Sequence, residues 1–297
     1  MRVAILSRGS QVYSTRRLLE AAELSGYQAQ ILDPFGFSLH VHNDNIRIFY
    51  NGYVAEKFDL IIPRFSSATA EFGFEILSHF ASLGTAYIIN SPDNIQNARH
   101  KFRSLRILAE HKIPILPSFT TGTDESLEQS ISYIGGEYPV IAKPFIGTHG
   151  NGIMLLDTFI SLQSAIGAMC DLNRDYVVQK YVNLSSSGDV RVIVVGDRAI
   201  AGMKRVAQNG EFRSNVHRGG SGHELVISRE LKDIAVGAVK ALNLDVAGVD
   251  LVKTVEGYVV LEVNPSPGFE EIEAVTNIHV AEAIISFATS KQSKKNE

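Results

Sequence analysis

The stretch that constrains this chain most is Gly248 to Glu273, GVDLVKTVEGYVVLEVNPSPGFEEIE. It reads as two strands rich in β-branched residues, Val246 to Lys253 and Tyr258 to Val263, joined by a turn that ends in Gly257. A three-residue loop of Val255, Glu256 and Gly257 sets Thr254 opposite Tyr258, and counting back sets Asp250 opposite Glu262. Strand alternation then brings Asn264 to the face of Glu262. Val249, Leu251, Val259, Leu261 and Val263 fall on the other face, so the hairpin is expected to be one-sided. Opposed carboxylates repel, and a shared divalent cation removes the repulsion. Two acids and an amide are hard oxygen donors that suit Mg²⁺ or Mn²⁺, with water and phosphate oxygens completing the octahedron. The same pair also reads as a solvated sheet face. Pro265-Ser266-Pro267-Gly268 follows as a rigid turn that holds Asn264.

Elsewhere the chain alternates strands and helices. Strands are expected at Val3–Leu6, Gln28–Leu32, Asp59–Pro63 and Tyr87–Ile89, with a helix ending at Gly26 and another over Ala70–Leu83. This pattern predicts a small parallel sheet over the first 90 or so residues. Its first turn, Ser7-Arg8-Gly9-Ser10, lacks G-x-G-x-x-G, so dinucleotide binding is not supported. A hairpin over Ile46–Val54 turns at Asn51-Gly52. Arg64, just past a strand end, is placed to face a site, but a surface ion pair is the reading expected for it. Ile95 to Ile113 reads as a single amphipathic helix with Lys101 on a solvated basic face.

Pro139 to Pro144 is a strand that puts Lys143 on the face of Ile141. The glycine-rich loop Phe145 to Gly152 follows, and its amides can approach anionic oxygens. It is not a P-loop, and an ordinary hairpin connection explains it equally. Tyr176–Val182, Val190–Val195 and Ala199–Arg205 are further strands, and Gln208–Gly222 is a basic, glycine-rich loop. Helices are expected at Ser161–Met169, Arg229–Leu242 and Ile278–Ala288, followed by a disordered tail from Ser290. Cys170 falls on an apolar helical face and reads as core.

A single Cys excludes an internal disulfide, and a net charge of -4 leaves no electrostatic footprint for nucleic acid. No apolar run reaches membrane-spanning length, so a soluble cytoplasmic protein is expected.

A strand lysine, a glycine-rich loop, a basic loop and an acid…acid-x-Asn hairpin, in that order, resemble an ATP-grasp ligase. The segments MRVAILSR, YSTRRLLEAA, ILDP, FDLIIPR, HKFRSLRILA, GEFRSNVHRGG, DVAGVDLV and LEVNPSPGFEEIE are similar to the RimK family of ribosomal-protein modification ligases. They run from residue 1 to about 280 and so cover nearly the whole chain. The resemblance implies an α/β (α+β) ATP-grasp fold. Its parts would be an N-terminal pre-ATP-grasp domain at 1–92, a first lobe at 93–182 with the phosphate loop, a second lobe at 183–290 with the metal hairpin, and a tail at 291–297.

It further implies an ADP-forming carboxylate–amine ligase that adds L-glutamate to the C-terminal carboxylate of a small-subunit ribosomal protein through an acyl phosphate, and that polymerises glutamate. By motif position, Lys101 and Lys143 would hold the ATP phosphates, Lys180 and Tyr181 the adenine and Asp189 the ribose. Arg213, Ser214 and Asn215 would line the nucleotide pocket, and Asp250, Glu262 and Asn264 would bind Mg²⁺ or Mn²⁺, two ions in all. Arg205 and Arg218 are candidates to stabilise transferred charge and Arg191 to orient a substrate carboxylate, though each position also suits a surface arginine. The implied partners are the ribosomal acceptor, free glutamate and further copies of the chain, without nucleic acid or membrane.

The chain departs from the family pattern at Lys180, where Glu is usual, and at Ile146, which replaces an acid; both bear on selectivity for the base. Two rivals stay open: a ligase for a small-molecule or free-peptide carboxylate, and an ATP-binding regulator without turnover.

Overall fold

The computed structural model describes residues 1–43, 45–65, 70–147, 151–172, 174–183, 188–206 and 221–295. The chain opens with β1 (Arg2–Leu6), α1 (Tyr13–Leu24), β2 (Gln28–Leu32), β3 (Phe37–His42), β4 (Asn45–Tyr50), β5 (Tyr53–Val54), β6 (Leu60–Pro63), α2 (Ala70–Leu83) and β7 (Tyr87–Ile88). Among the described residues β2-β1-β6-β7 form a parallel sheet. Its central strands are continuous apolar runs buried on both faces, as helix-covered parallel strands must be. The Asn51-Gly52 turn has both residues at positive φ, 49° and 84°, as expected for a tight hairpin. The structure adds β3 to that hairpin and makes a three-stranded antiparallel ribbon.

Next come α3 (Pro92–Arg99), α4 (Lys101–Glu110), β8 (Ser118–Phe119), α5 (Leu127–Tyr133), β9 (Val140–Pro144), β10 (Met154–Leu156), α6 (Phe159–Asp171) and β11 (Tyr176–Lys180). Strands β10-β9-β11-β8 form an antiparallel sheet. One of its faces, carrying Val140, Ala142, Tyr176 and Val178, is buried under α5 and α6 in a core of its own. The single helix expected over Ile95–Ile113 is two helices. His100 breaks it with extended backbone, and its Nδ1 accepts from the Arg103 amide at 3.1 Å to cap α4. Cys170 is exposed rather than core: it follows Ile166 on the same stripe of α6 but lies in the last turn, beside the helix end at Asp171.

The last part holds β12 (Asp189–Val195), β13 (Arg198–Val206), β14 (Ser221–Glu224), α7 (Arg229–Ala241), β15 (Val246–Thr254), β16 (Gly257–Asn264), α8 (Glu270–Thr276) and α9 (Val280–Lys295). The sheet runs β14-β13-β12-β15-β16, all antiparallel. Both of its faces are covered. Ile193, Val195, Met203 and Val246 join Val3, Ile5 and Leu60 of the parallel sheet and Val280, Ile284 and Ala288 of α9 in one core. Val192, Val249, Leu251 and Val263 pack with Leu231, Ala235 and Val239 of α7 in another. Each fully buried Leu or Ile in such a core stabilises by about 1.5–3 kcal/mol. The one-sided hairpin is therefore corrected, since Val246 to Val252 are all buried. The tail is corrected too: α9 continues to Lys295, packing Gln292 inward. Among the described residues no helix is long and apolar enough to cross a membrane.

Candidate active site

Asp250 and Glu262 are cross-strand partners, but the register that pairs them is not the expected one. Thr254 faces Gly257, so the turn holds two residues, and Lys253 faces Tyr258. A bulge at Leu261 then absorbs one residue and restores Asp250 opposite Glu262 and Gly248 opposite Asn264. The bulge also turns Val260, not Val259 or Leu261, into the α7-side core with Val263. Leu261 instead lines a pocket with Ala98, Lys101, Lys143, Val177 and Glu262. Beyond β16, Asn264 Oδ1 accepts from the Ser266 amide at 3.0 Å, and Ser266 Oγ donates to Pro63 O at 3.2 Å. Pro267 lies so close to Gly248 that a Cβ there would meet it at 2.9 Å, which explains the glycine opposite Asn264.

The break at His100 sets Lys101 as the first residue of α4 and ties its amide to Phe145 O at 2.8 Å. Its side chain is 12% exposed and spans the pocket, with Nζ 3.1 Å from Glu262 Oε1 and 3.2 Å from Gly147 O. The solvated basic face expected for Lys101 is thus corrected. Lys143 lies on the same side of the sheet as Ile141 and Val177, opposite the α5–α6 core. Its Nζ donates to Gln179 Oε1 at 2.6 Å, and Gln179 Nε2 donates to Ser118 Oγ at 2.9 Å. Burial pushes the Lys143 ammonium down to about 8, opposed by Glu262 and assisted by Lys101. Its hydrogen-bond acceptor is a neutral amide, so an anion placed there would restore the charged form.

Across β13-β12-β15 the sheet carries four charges in a row. Arg205 binds both Asp189 oxygens and reaches Asp250 Oδ2 at 3.1 Å. Arg191 forks onto Asp250 with two 2.7 Å bonds. Burial raises the Asp250 carboxyl, but Arg191 and Arg205 outweigh it and hold the group at about 2. Burial lowers Arg205, and Asp250 and Asp189 more than reverse that. Arg191 is thus bound to Asp250, and Asp189 to Arg205.

Lys180 is not brought to this pocket. It shares strand parity with Tyr176 and Val178, and its Nζ pairs with the exposed Glu137 at 3.0 Å. Tyr181 follows it half-buried, and Ile146 is exposed. Arg213, Ser214, Asn215 and Arg218 lie outside the described residues. Two contributors escaped the sequence reading. Gln179 is a buried amide directly after the apolar run Tyr176–Val178, and that contrast was its signal. Asn90 donates to Val246 O and Pro265 O at 2.8 Å and accepts from the Asp245 and Val246 amides, so it pins both outer ends of the hairpin. It sits just before an evident helix start and gives no pattern of its own.

A RimK pre-ATP-grasp domain matches residues 1–95 and a RimK-like ATP-grasp domain residues 98–288. The chain belongs to the RimK-like ATP-grasp family. A "Probable alpha-L-glutamate ligase" of Aeromonas salmonicida is 37% identical over 100% of this chain and 99% of its own. Another protein of that name, from Alkalilimnicola ehrlichii, is 39% identical over 97% and 95%. Among solved structures, a RimK domain ATP-grasp protein of Sphaerobacter thermophilus superposes with a TM-score of 0.70 at 21% identity, covering 97% of this chain and 99% of that one. The ATP-grasp ligase PsnB, complexed with its minimal precursor, Mg and ADP, does so at 0.72 and 20%, covering 98% of each. At these identities the structures speak for the fold alone. RimK-like membership makes the chain an ATP-dependent carboxylate–amine ligase, as its motifs led us to expect.

The pocket fits such a reaction. Among the described residues no three His, Cys, Asp or Glu side chains converge, so a cation here would rest on two carboxylates and the Asn264 amide. That set is incomplete without added oxygens, which is how Mg²⁺ is held beside phosphates. The half-buried ammonium of Lys143 supplies the complementary charge.

Proposed function

We propose that this RimK-like ligase uses ATP to activate a C-terminal carboxylate and joins it to the amine of L-glutamate. The observation that carries this reading is a half-buried Lys143, hydrogen-bonded to a neutral amide, in one pocket with the Lys101–Glu262 pair. Lys143 and Lys101 bind the triphosphate. Asp250, Glu262 and Asn264 hold Mg²⁺ or Mn²⁺, which when bound neutralises charge on the phosphates. Arg191 and Arg205 keep Asp250 ionised and aimed. Lys101, 3.1 Å from Glu262 Oε1, would turn its charge to phosphate if a cation took over that carboxylate.

The acceptor carboxylate oxygen attacks the γ-phosphorus and the bond to the β-phosphate oxygen breaks, giving an acyl phosphate and ADP. The glutamate amine then attacks the acyl carbon, loses a proton, and phosphate leaves as the amide forms. The acceptor proposed is the C-terminus of a small-subunit ribosomal protein, with further glutamates added to the new terminus. The relatives' names support glutamate.

The test is incubation with ATP, Mg²⁺, glutamate and candidate acceptors, read by mass spectrometry and ADP release. Glutamyl increments on a ribosomal protein are expected. ADP release only with a small acid would move the acceptor assignment, and no ADP with any acceptor would refute the reading.

A further inference from the structure

Arg64 follows the last residue of β6, and its amide is bound to Leu6 O at 2.9 Å, so it sits at the carboxyl end of the parallel sheet. Ligands of open parallel sheets bind at that end. The side chain turns inward. Nη2 donates to Ser14 Oγ at 2.7 Å, and the guanidinium lies 6.0 Å from the buried Phe269 ring. A guanidinium has five donors, and Ser14 uses one.

Other arginines of the N-terminal part have carboxylates: Arg8 has Asp33, Arg16 has Glu20, and Arg17 has Glu20, Glu273 and Glu282. Among the described residues Arg64 has no carboxylate within ion-pair distance, which overturns the surface ion pair expected from its sequence position. Desolvation by the protein around it pushes the group down to about 10. Arg64 is half-buried, so it keeps access to solvent, and an anion bound to it would relieve the cost of its partial desolvation.

The surroundings suit an anion. Ser14 is in the first turn of α1, whose N-cap Val12 provides no side-chain acceptor and whose first turn carries no acid. The positive end of that helix is thus left open beside Arg64. The position is also within the machinery already described: Pro63, the residue before Arg64, accepts from Ser266, two residues after Asn264.

We propose that Arg64, with Ser14 and the first turn of α1, is the docking point for a non-reacting carboxylate of a ligation substrate. This rests on the ligase reading above. The phosphates have their own lysines on the β9 and α4 side, and the planar fork of Arg matches a carboxylate in two parallel bonds. Two sources share this chemistry: the free carboxylates of the incoming amino acid, and a side-chain carboxylate near the acceptor terminus.

Steady-state kinetics of Arg64→Ala, Arg64→Lys and Ser14→Ala distinguish them. A KM increase of about tenfold or more in Arg64→Ala is expected for glutamate or for the acceptor, with kcat at saturation largely kept and KM for ATP within about twofold. A rise for glutamate assigns the site to the amino acid, and a rise for the acceptor assigns it to the acceptor. Arg64→Lys recovers part of the loss, and added guanidinium ion rescues Arg64→Ala, which a packing defect would not allow. Unchanged KM for both carboxylate substrates, or an increase confined to ATP, overturns the proposal. Should Arg64→Ala not fold, Ser14→Ala decides, with a smaller increase of about threefold expected and no change overturning it. Calorimetry with glutarate, a dicarboxylate without an amine, needs no turnover: binding to wild type that is lost in the Arg64 variants is expected, and equal binding overturns the site. A wild type that binds glutarate through Arg64 but ligates no glutamate would refute the ligase reading alone.

Discussion

At the scale of single residues, the site is governed by two charges held away from their ordinary titration range in opposite ways. Lys143 is pushed down to about 8 because burial disfavours its ammonium. In the free protein near pH 8, about half the molecules carry a neutral amine there. A bound polyphosphate favours the charged form, so ATP binding at pH 8 takes up protons, whereas well below that pH the group is already charged and uptake vanishes. Calorimetry in two buffers of different ionisation enthalpy reads this directly, and Lys143→Met abolishes it; absence of uptake in wild type at pH 8 would contradict the assignment. Asp250 is the converse, held at about 2 by Arg191 and Arg205 against its burial. A depressed carboxyl contributes stability that is complete above its unfolded value of 3.8 and is lost as pH falls through about 2. Asp250→Asn leaves both arginines without that partner and is expected to cost about 3 kcal/mol in urea unfolding at pH 7. The gap to wild type should close as pH falls below 3.8, and a gap that stays constant down to pH 2 would count against the ion cluster.

At the scale of elements, the break between α3 and α4 does the aiming. His100 caps α4 through Nδ1, and Lys101 starts the helix facing Glu262. His100→Ala removes the cap and is expected to cost about 1 kcal/mol and raise KM for ATP, while His100→Asn, a good capping residue, keeps both near wild type. Equal KM values in all three proteins would show that the break does not orient Lys101. This break was not legible in the sequence. The apolar spacing through Ile95, Leu105 and Leu108 continues across it, and the contact that fixes it, Lys101 N to Phe145 O, is tertiary. The hairpin shows a different limit. The pairing of Asp250 with Glu262 was legible, but through a longer turn; the structure reaches it with a tighter turn and a bulge at Leu261, which strand alternation alone does not reveal. The parallel strands and α2 were legible because short β-branched runs and a helical period carry their own signal. Gln179 and Asn90 act through partners far off in sequence, and single amides leave no periodic trace.

At the scale of the whole molecule, the pocket lies between walls with separate cores. Lys143 belongs to the β8–β11 sheet, whose core under α5 and α6 is its own. Glu262 and Asp250 belong to the five-stranded sheet, which shares a core with the N-terminal parallel sheet through α1 and α9. Polar ties reinforce that second body: Asn90 on the hairpin ends, Tyr87 on Asp245 at 2.8 Å, and Arg17 on Glu273 and Glu282. Lys101 bridges the walls, touching Gly147 on one and Glu262 on the other. Triphosphate and cation bound between them would touch the same two walls. The central claim is that this pocket moves a phosphoryl group onto a carboxylate before the amide forms. The most direct test uses an acceptor whose C-terminal carboxylate is labelled with ¹⁸O and follows the label after one turnover with ATP, Mg²⁺ and glutamate. The account predicts one labelled oxygen in the released phosphate and loss of that transfer in Glu262→Gln. Amide formation with unlabelled phosphate would contradict it.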